Sequence, residues 1–343
     1  MDRAVSQPTE QFPRARRGAV LLYRLWQRLR TSQELLILLL LLALGTFFSL
    51  QSDNFLSSDN LLNLVRSFAW IAIVAFGECL VIIIGGIDLS VGAVMALAGI
   101  VSGVCLQAGL PVPLAVLGGL LSGGLIGCIN GLMIGRVGLP PFIVTLGTMG
   151  VARGIALGIT GGNPIRDLPA AFRVLGQGSI LIGGVELPLV VIWMLTLAVV
   201  VGFVLSRTVL GRYIYTLGSN EQVLRIADVN TVQLKILVYT LSGLLTAFGG
   251  ILLTARLGVA APTAAVGYEL DVIAAAVIGG VSLFGGEGSV LGVILGAAMM
   301  QTTRNGLFLL GFPSYWQVLA IGLMILIVVL LDAWRRRRVN GDQ

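Results

Sequence analysis

The chain of 343 residues contains no histidine. That absence removes His-based proton relays, His-ligated metals and His-dependent nucleophilic triads together. Cysteine is nearly as silent. Cys79, Cys105 and Cys128 stand singly in apolar segments with no CxxC spacing, so neither disulfides nor thiolate metal sites are expected. No GxxxxGK[ST] phosphate loop occurs, and HExxH, GxSxG and EF-hand patterns are missing as well. The chain is therefore expected to hold no cofactor and no metal, and to catalyse no covalent chemistry. If it works with ATP, the ATP and its Mg²⁺ belong to another chain. Charge is also scarce: 11% of residues are charged, against roughly 25% in a soluble domain.

What the sequence has instead is apolar length. It is 57% hydrophobic, its mean hydropathy is +0.98, and several apolar runs approach the ~20 residues a bilayer-spanning helix needs. The fold class is an all-α polytopic membrane protein. Spans are expected at roughly 35–50, 62–84, 89–107, 112–135, 142–160, 187–205, 234–256, 269–284, 288–304 and 315–332, about ten in all. Gly-rich turns blur the spans near 89 and 269 and leave a re-entrant course open for them. The first apolar run begins only at Leu35 and ends in FFSLQSDNF without a small-x-small cleavage pattern, so it reads as a retained span.

The net charge of +6 is better explained by the positive-inside rule than by nucleic acid. With both termini cytoplasmic, 16 of the 22 basic residues fall inside. The organisation is then a basic cytoplasmic leader (1–34), a membrane domain (35–332) and a basic tail (333–343). Within the leader, Val20 to Leu29 could lie along the membrane as an amphipathic helix. A Gly/Pro-rich loop at 161–186 faces outward and a polar loop at 206–235 faces the cytoplasm.

That polar loop carries its own pattern. Ser219 followed by Gln222 fits a capping box. From Asn220, Val223, Leu224, Ile226 and Ala227 fall on one side of a short helix, with Glu221, Gln222, Arg225 and Asp228 on the other. Glu221 and Arg225 stand at i,i+4 in the favourable order, and Asn230 is a plausible stop. A surface helix with an apolar face and no core beneath it calls for a partner protein.

Glycine forms a second pattern. Gly119, Gly123, Gly127, Gly131 and Gly135 recur every fourth residue, and Gly150, Gly154 and Gly158 repeat the device, as do Gly288, Gly292 and Gly296. Such ridges let helices pack closely in lipid, or slide over one another. There is also a short internal echo between Ile84–Gly92 and Ile278–Gly286, with both turns on the same side of the membrane.

Charged residues inside spans are functional candidates by default. Glu78, Asp88, Arg153 and Arg304 qualify. Asp88 reads either as an N-cap-like acceptor for the third span or as a contact for substrate or gate. A neutral polar set suits a polyhydroxylated solute better than an ion. It comprises Asn130, Thr145, Thr148, Asn163, Gln301, Thr302 and Asn305, with Tyr268 and Glu269.

The longest motifs converge on one family. GGIDLSVGAVMALAG (85–99), LPPFIVTLGTMGVARGIAL (139–157), GRYIYTLGSNEQVLRIADVN (211–230), PTAAVGYELDVIAAAVIGGVSLFGGEGSVLG (262–292) and NGLFLLG (305–311) resemble ribose-type permeases. These are the membrane subunits of bacterial ATP-binding cassette importers for monosaccharides. The likeness spans about Asn60 to Leu331. It implies a Gly-rich bundle of about ten helices in the inner membrane. It implies three partners: cytoplasmic ATPase subunits, a periplasmic sugar-binding protein and a second permease subunit, identical or a sister chain. It also implies that Gly218, Asn220, Glu221, Gln222, Arg225 and Ala227 belong to the helix that docks on the ATPase. The translocation path is expected to draw on Asp88, Asn130, Phe142, Thr145, Asn163, Glu269, Gln301 and Asn305. Related importers for polyols, autoinducers or branched-chain amino acids are the nearest alternatives. An ion-coupled secondary transporter is the alternative of another class, and it would need intramembrane acid sites that this chain has few of.

Overall fold

The computed structural model describes the backbone of residues 33–341, and their side chains except those of Gln33, Ile182, Val185 and 331–341. The basic leader with its candidate interfacial helix at Val20 to Leu29, and the side chains of the basic tail, lie outside the described residues. In chain order the elements are α1 (Gln33–Gln51), α2 (Ser58–Ile83), α3 (Val91–Gln107) and α4 (Val112–Leu132), the last prolonged by a π-helical turn (Met133–Val137). Then come α5 (Pro141–Thr160), α6 (Ala170–Gln177), a hairpin of β1 (Ser179–Ile182) and β2 (Val185–Pro188), α7 (Leu189–Arg207), α8 (Val209–Ser219) and α9 (Glu221–Ile226). The series ends with α10 (Thr231–Leu257), α11 (Tyr268–Ile278), α12 (Val290–Leu309) and α13 (Ser314–Gly341).

Each expected apolar run becomes a helix, but they are not equivalent. Among the described residues six helices are long and apolar enough to cross a membrane: α1, α2, α4 with its π turn, α5, α7 and α10. Helix α3 and the Ser314–Leu330 part of α13 are shorter apolar helices. The run expected at 269–284 shortens to α11, 11 residues long, or about 16 Å, half a hydrocarbon core. Gly279 caps it and Gly280 turns the chain with φ 87°.

Helices α2 and α10 form the centre. Every residue of α2 from Ala69 to Ile83 is buried, which agrees with a sequence that is apolar on all sides. Helix α10 packs against α4 along the glycine ridge. A Cβ on Gly127 would strike the Tyr239 carbonyl, and one on Gly131 would come within 2.5 Å of the Ile236 Cα. The ridge expected at Gly150, Gly154 and Gly158 behaves differently. Among the described residues nothing lies within 4 Å of a Cβ built on any of them, so that side of α5 faces away from the described bundle.

Two segments of irregular backbone enter the bundle. Ile84 to Ser90 links α2 to α3, with Gly85 at φ 80°, and 258–267 links α10 to α11, with Gly258, Ala265 and Gly267 at φ 69°, 56° and 85°. Segment 258–267 runs beside α3. Ala260 and Ile165 lie 3.2 Å from a Cβ built on Gly103, whereas one on Gly92, at the start of α3, would meet the Ala265 carbonyl and the Glu269 carboxylate. Helices α3 and α11 therefore begin opposite each other inside the bundle. Irregular backbone of this kind is tolerated at membrane depth only where protein groups or water, rather than lipid, surround it.

The helix ends sort onto two faces. Ser289, the cap of α12, donates to Glu34 at the start of α1 (2.9 Å). The Gly286 amide donates to the Ile83 carbonyl at the end of α2 (2.8 Å). The start of α1, the end of α2, the 279–289 turn and the α8–α9 loop share one face, called here the α9 face. The two halves of the internal echo thus stand on the same side, as expected, and touch. On the opposite face the 161–186 loop is ordered by α6 and the hairpin. Gly183 and Gly184, at φ 59° and 84°, make the two-residue turn that the SILI-GG-VELP pattern encodes.

Candidate functional site

The polar loop folds as two helices rather than one. Thr208 caps α8 by accepting from the Gly211 amide (3.2 Å). The expected capping box does not form. Ser219 is still in the last turn of α8, so its hydroxyl donates to the Tyr215 carbonyl four residues back (2.6 Å). Asn220 caps α9 instead: it has the extended backbone a cap needs, φ −162°, and its Oδ1 accepts from the Gln222 amide (3.0 Å). Asn230 does not stop α9 either. Ala227 ends the helix, Asp228 turns the chain at φ 57°, and Asn230 caps α10 by accepting from the Gln233 amide (3.0 Å).

Glu221 is the brace of this loop. Its carboxylate accepts from Arg225 (2.8 Å), Thr231 (3.0 Å) and Lys235 (2.9 Å). Partial burial pushes the carboxyl up, but these three donors outweigh it and hold it down at about 2. The expected apolar face divides. Leu224 is buried, while Val223 is 50% exposed and Ile226 86% exposed; Gln222, Arg225 and Ala227 are exposed too. The outward surface of α9 is therefore apolar at two neighbouring positions, and Glu221 serves the loop's own rigidity.

Gly218 joins this loop to the membrane helices. A Cβ there would collide with the Ile83 carbonyl and lie 2.6 Å from the Gly286 amide. The end of α8 is thus wedged between the end of α2 and the 279–289 turn. Tyr215 adds a second tie by donating to the Gly288 carbonyl (2.7 Å). Gly218 thus sets backbone against backbone at both turns.

Beneath this junction lies a chain of buried polar groups. The Asp88 carboxylate accepts from the Ser90 amide (2.9 Å) and hydroxyl (2.5 Å), just ahead of α3 rather than from that helix's first amides. Asn130 of α4 donates to Ser90 (3.2 Å), and Thr148 of α5 donates to Asn130 (2.7 Å). Thr145 of α5 donates to the Ile87 carbonyl (3.1 Å). Asp88, Asn130 and Thr145 therefore come together from three elements, the α2–α3 turn, α4 and α5. Glu269 stands at the inner end of α11, where it accepts from the Gly267 amide (3.2 Å) and abuts Gly92 of α3. Arg153 straps α5 to the irregular segment through the Pro262 and Ala264 carbonyls (2.7 and 2.8 Å).

The remaining path candidates lie apart. Asn305 pairs reciprocally with Asn60 at the outer end of α2 (3.0 and 2.7 Å). Asn163 lies in the exposed loop after α5, and Phe142 is 56% exposed on the outside of the bundle. Gln301 of α12 keeps a buried side-chain carbonyl without a partner. Asp271 escaped the sequence reading although it is 4% exposed and pairs with Arg304 (2.7 Å). Its signal was available, since it is an acid within an expected span, two residues after Glu269.

A family model described as branched-chain amino acid transport system / permease component matches residues 60–329. The ribose import permease protein of Haemophilus influenzae is 41% identical, covering 85% of this chain and 90% of its own. The Bacillus subtilis ribose import permease protein is also 41% identical, over 83% and 88%. The D-allose transport system permease protein of Escherichia coli is 36% identical, over 86% and 89%. No solved structure matches the chain. An apolar helical bundle and a match across nearly all of it lead to one assignment: the chain belongs to the permease-component family of branched-chain amino acid transport systems, multi-pass proteins of the bacterial inner membrane.

Proposed function

We propose that this chain is the transmembrane subunit of an ATP-binding cassette importer that carries a monosaccharide across the bacterial inner membrane. The single observation that carries the reading is the wedge at Gly218, where the end of α8, leading directly into α9 with its exposed Val223 and Ile226, lies against both glycine turns of the membrane bundle. An ATPase subunit covers that apolar face and moves it, and the movement reaches α2, α3 and α11 through the turns.

About ten helices cross the bilayer, with α3 and α11 completed by their irregular segments. Both termini and the α9 face are cytoplasmic, in agreement with the distribution of basic residues. A second permease subunit packs on the outward glycines of α5, which find no partner among the described residues. A periplasmic binding protein delivers the sugar to the opposite face, and ATP and Mg²⁺ stay on the ATPases. This chain supplies a path and no covalent chemistry, with Asp88, Asn130, Thr145 and Glu269 along it.

The sugar reading is favoured by relatives that are ribose and allose permeases. The family description keeps a branched-chain amino acid as the second reading. Vesicles holding the complete importer decide both questions. Sugar uptake is expected to require internal ATP and the cognate binding protein. Uptake driven by an ion gradient alone overturns the ATP-driven reading, and uptake of leucine in place of sugar overturns the substrate class.

A further inference from the structure

Two acidic residues are buried inside the bundle, linked through the backbone of one of them. Glu78 of α2 is 0% exposed and Asp88 is 2% exposed, and the Asp88 amide donates to Glu78 Oε1 (3.1 Å). Asp88 is well provided for by the Ser90 amide and hydroxyl. Glu78 is not: its Oε2 is buried without a hydrogen-bond partner. Among the described residues neither carboxylate enters an ion pair.

A second observation points into the same place. The Tyr239 hydroxyl of α10 is fully buried and also without a partner. It meets the α2–α3 turn at Gly86 and lies within electrostatic reach of both carboxylates. Ser242, one turn further along α10, is likewise unpartnered and packs on Gly77, the neighbour of Glu78. A cavity of about 350 Å³ lies on the other side of Tyr239, lined among others by Gly85, Gly86, Glu221 and Lys235, and neither Glu78 nor Asp88 borders it. The other titratable groups near Glu78 are Cys79 on its own helix and, beyond it, Tyr215 of α8.

Two ionised carboxylates buried side by side without a cation carry a desolvation cost that neutralising one of them removes. A multivalent metal is a poor candidate, since no three His, Cys, Asp or Glu side chains converge among the described residues. We infer that Glu78 is a proton-binding site, held as a neutral carboxylic acid beside Asp88. A hydronium ion gives its proton to Glu78 Oε2, leaving water and a neutral carboxylic acid, and release is the reverse. The inference goes beyond the importer reading and does not depend on which solute is carried.

Infrared spectroscopy of the full-length chain in lipid nanodiscs tests it. At neutral pH the wild type is expected to show the carbonyl stretch of a protonated carboxylic acid that survives in the membrane interior. Glu78→Gln should lose that band, and Tyr239→Phe should shift it. A band of wild-type intensity in Glu78→Gln overturns the assignment, as does an unmoved band in Tyr239→Phe. If Glu78→Gln does not accumulate, isotope-labelled carboxyls in the wild type replace it. Label in glutamate should move the band, and movement with labelled aspartate instead overturns the proposal. Sodium titration at fixed pH should leave the band intact. Its loss on adding sodium would make the site one for a metal cation and likewise overturn the proposal.

Discussion

Gly218 has a carbonyl oxygen where any other residue would begin its side chain. Substitution there strains backbone against backbone, which cannot move aside as a flexible side chain can. Gly218→Val is therefore expected to fold into the membrane but to separate α8 from the end of α2. Its complex should hydrolyse ATP without the stimulation that loaded binding protein gives. Full stimulation of the variant in reconstituted complexes would contradict the wedge. Glu221 makes a pH prediction at the same scale. Its folded pKa lies below the ordinary carboxylate value, at about 2, so the brace stabilises the loop above that ordinary value. The stabilisation is lost only as pH falls through the folded pKa. Hydrogen exchange at the α9 loop should thus stay slow in mildly acidic buffer, and Glu221→Gln should speed it even at neutral pH. Equal exchange in the two proteins at neutral pH would show that the brace does not hold the loop.

At the scale of elements, two glycine helices make opposite predictions. Gly127 of α4 faces the Tyr239 carbonyl and the Thr240 Cα, whereas Gly154 of α5 faces nothing within 4 Å. Gly127→Leu should lower the thermal stability of the detergent-solubilised chain, by about 1–3 kcal/mol or more. Gly154→Leu should leave that stability unchanged and shift the oligomeric state measured by native mass spectrometry toward the single subunit. A stable Gly127→Leu or an intact Gly154→Leu dimer counts against the corresponding interface. Helix α9 predicts an affinity. Ile226 is 86% exposed, and covering an isoleucine contributes about 1.5–3 kcal/mol. Ile226→Asp should then weaken binding of the ATPase subunit by about 10-fold or more, read by titration in nanodiscs. Unchanged binding would move the docking surface elsewhere.

At the scale of the molecule, the division of labour follows from where order is enforced. The long helices α2 and α10 are buried, while α1, α5 and α7 present most of their surface outward. The moving parts are therefore expected around α3 and the half-length α11, whose starts meet inside the bundle. The sequence by itself determined the membrane class, the helix positions and the α4 ridge, because apolar length and four-residue spacing are local properties of the chain. It also determined the Glu221–Arg225 pair, which needs only one helical turn. Tertiary structure decided what depends on distant segments meeting. Asn220 caps α9 because α8 has already claimed Ser219. Asn130, Thr148 and Asp88 share one network because α3, α4 and α5 converge on the α2–α3 turn. The α5 glycines face outward although their spacing matches that of α4, since spacing tells which residues share a face and not what that face will meet. Glu78 is the extreme case. Its burial was readable from the apolar run around it, but its unpartnered oxygen exists only because α10 brings Tyr239, rather than a basic residue, to that turn.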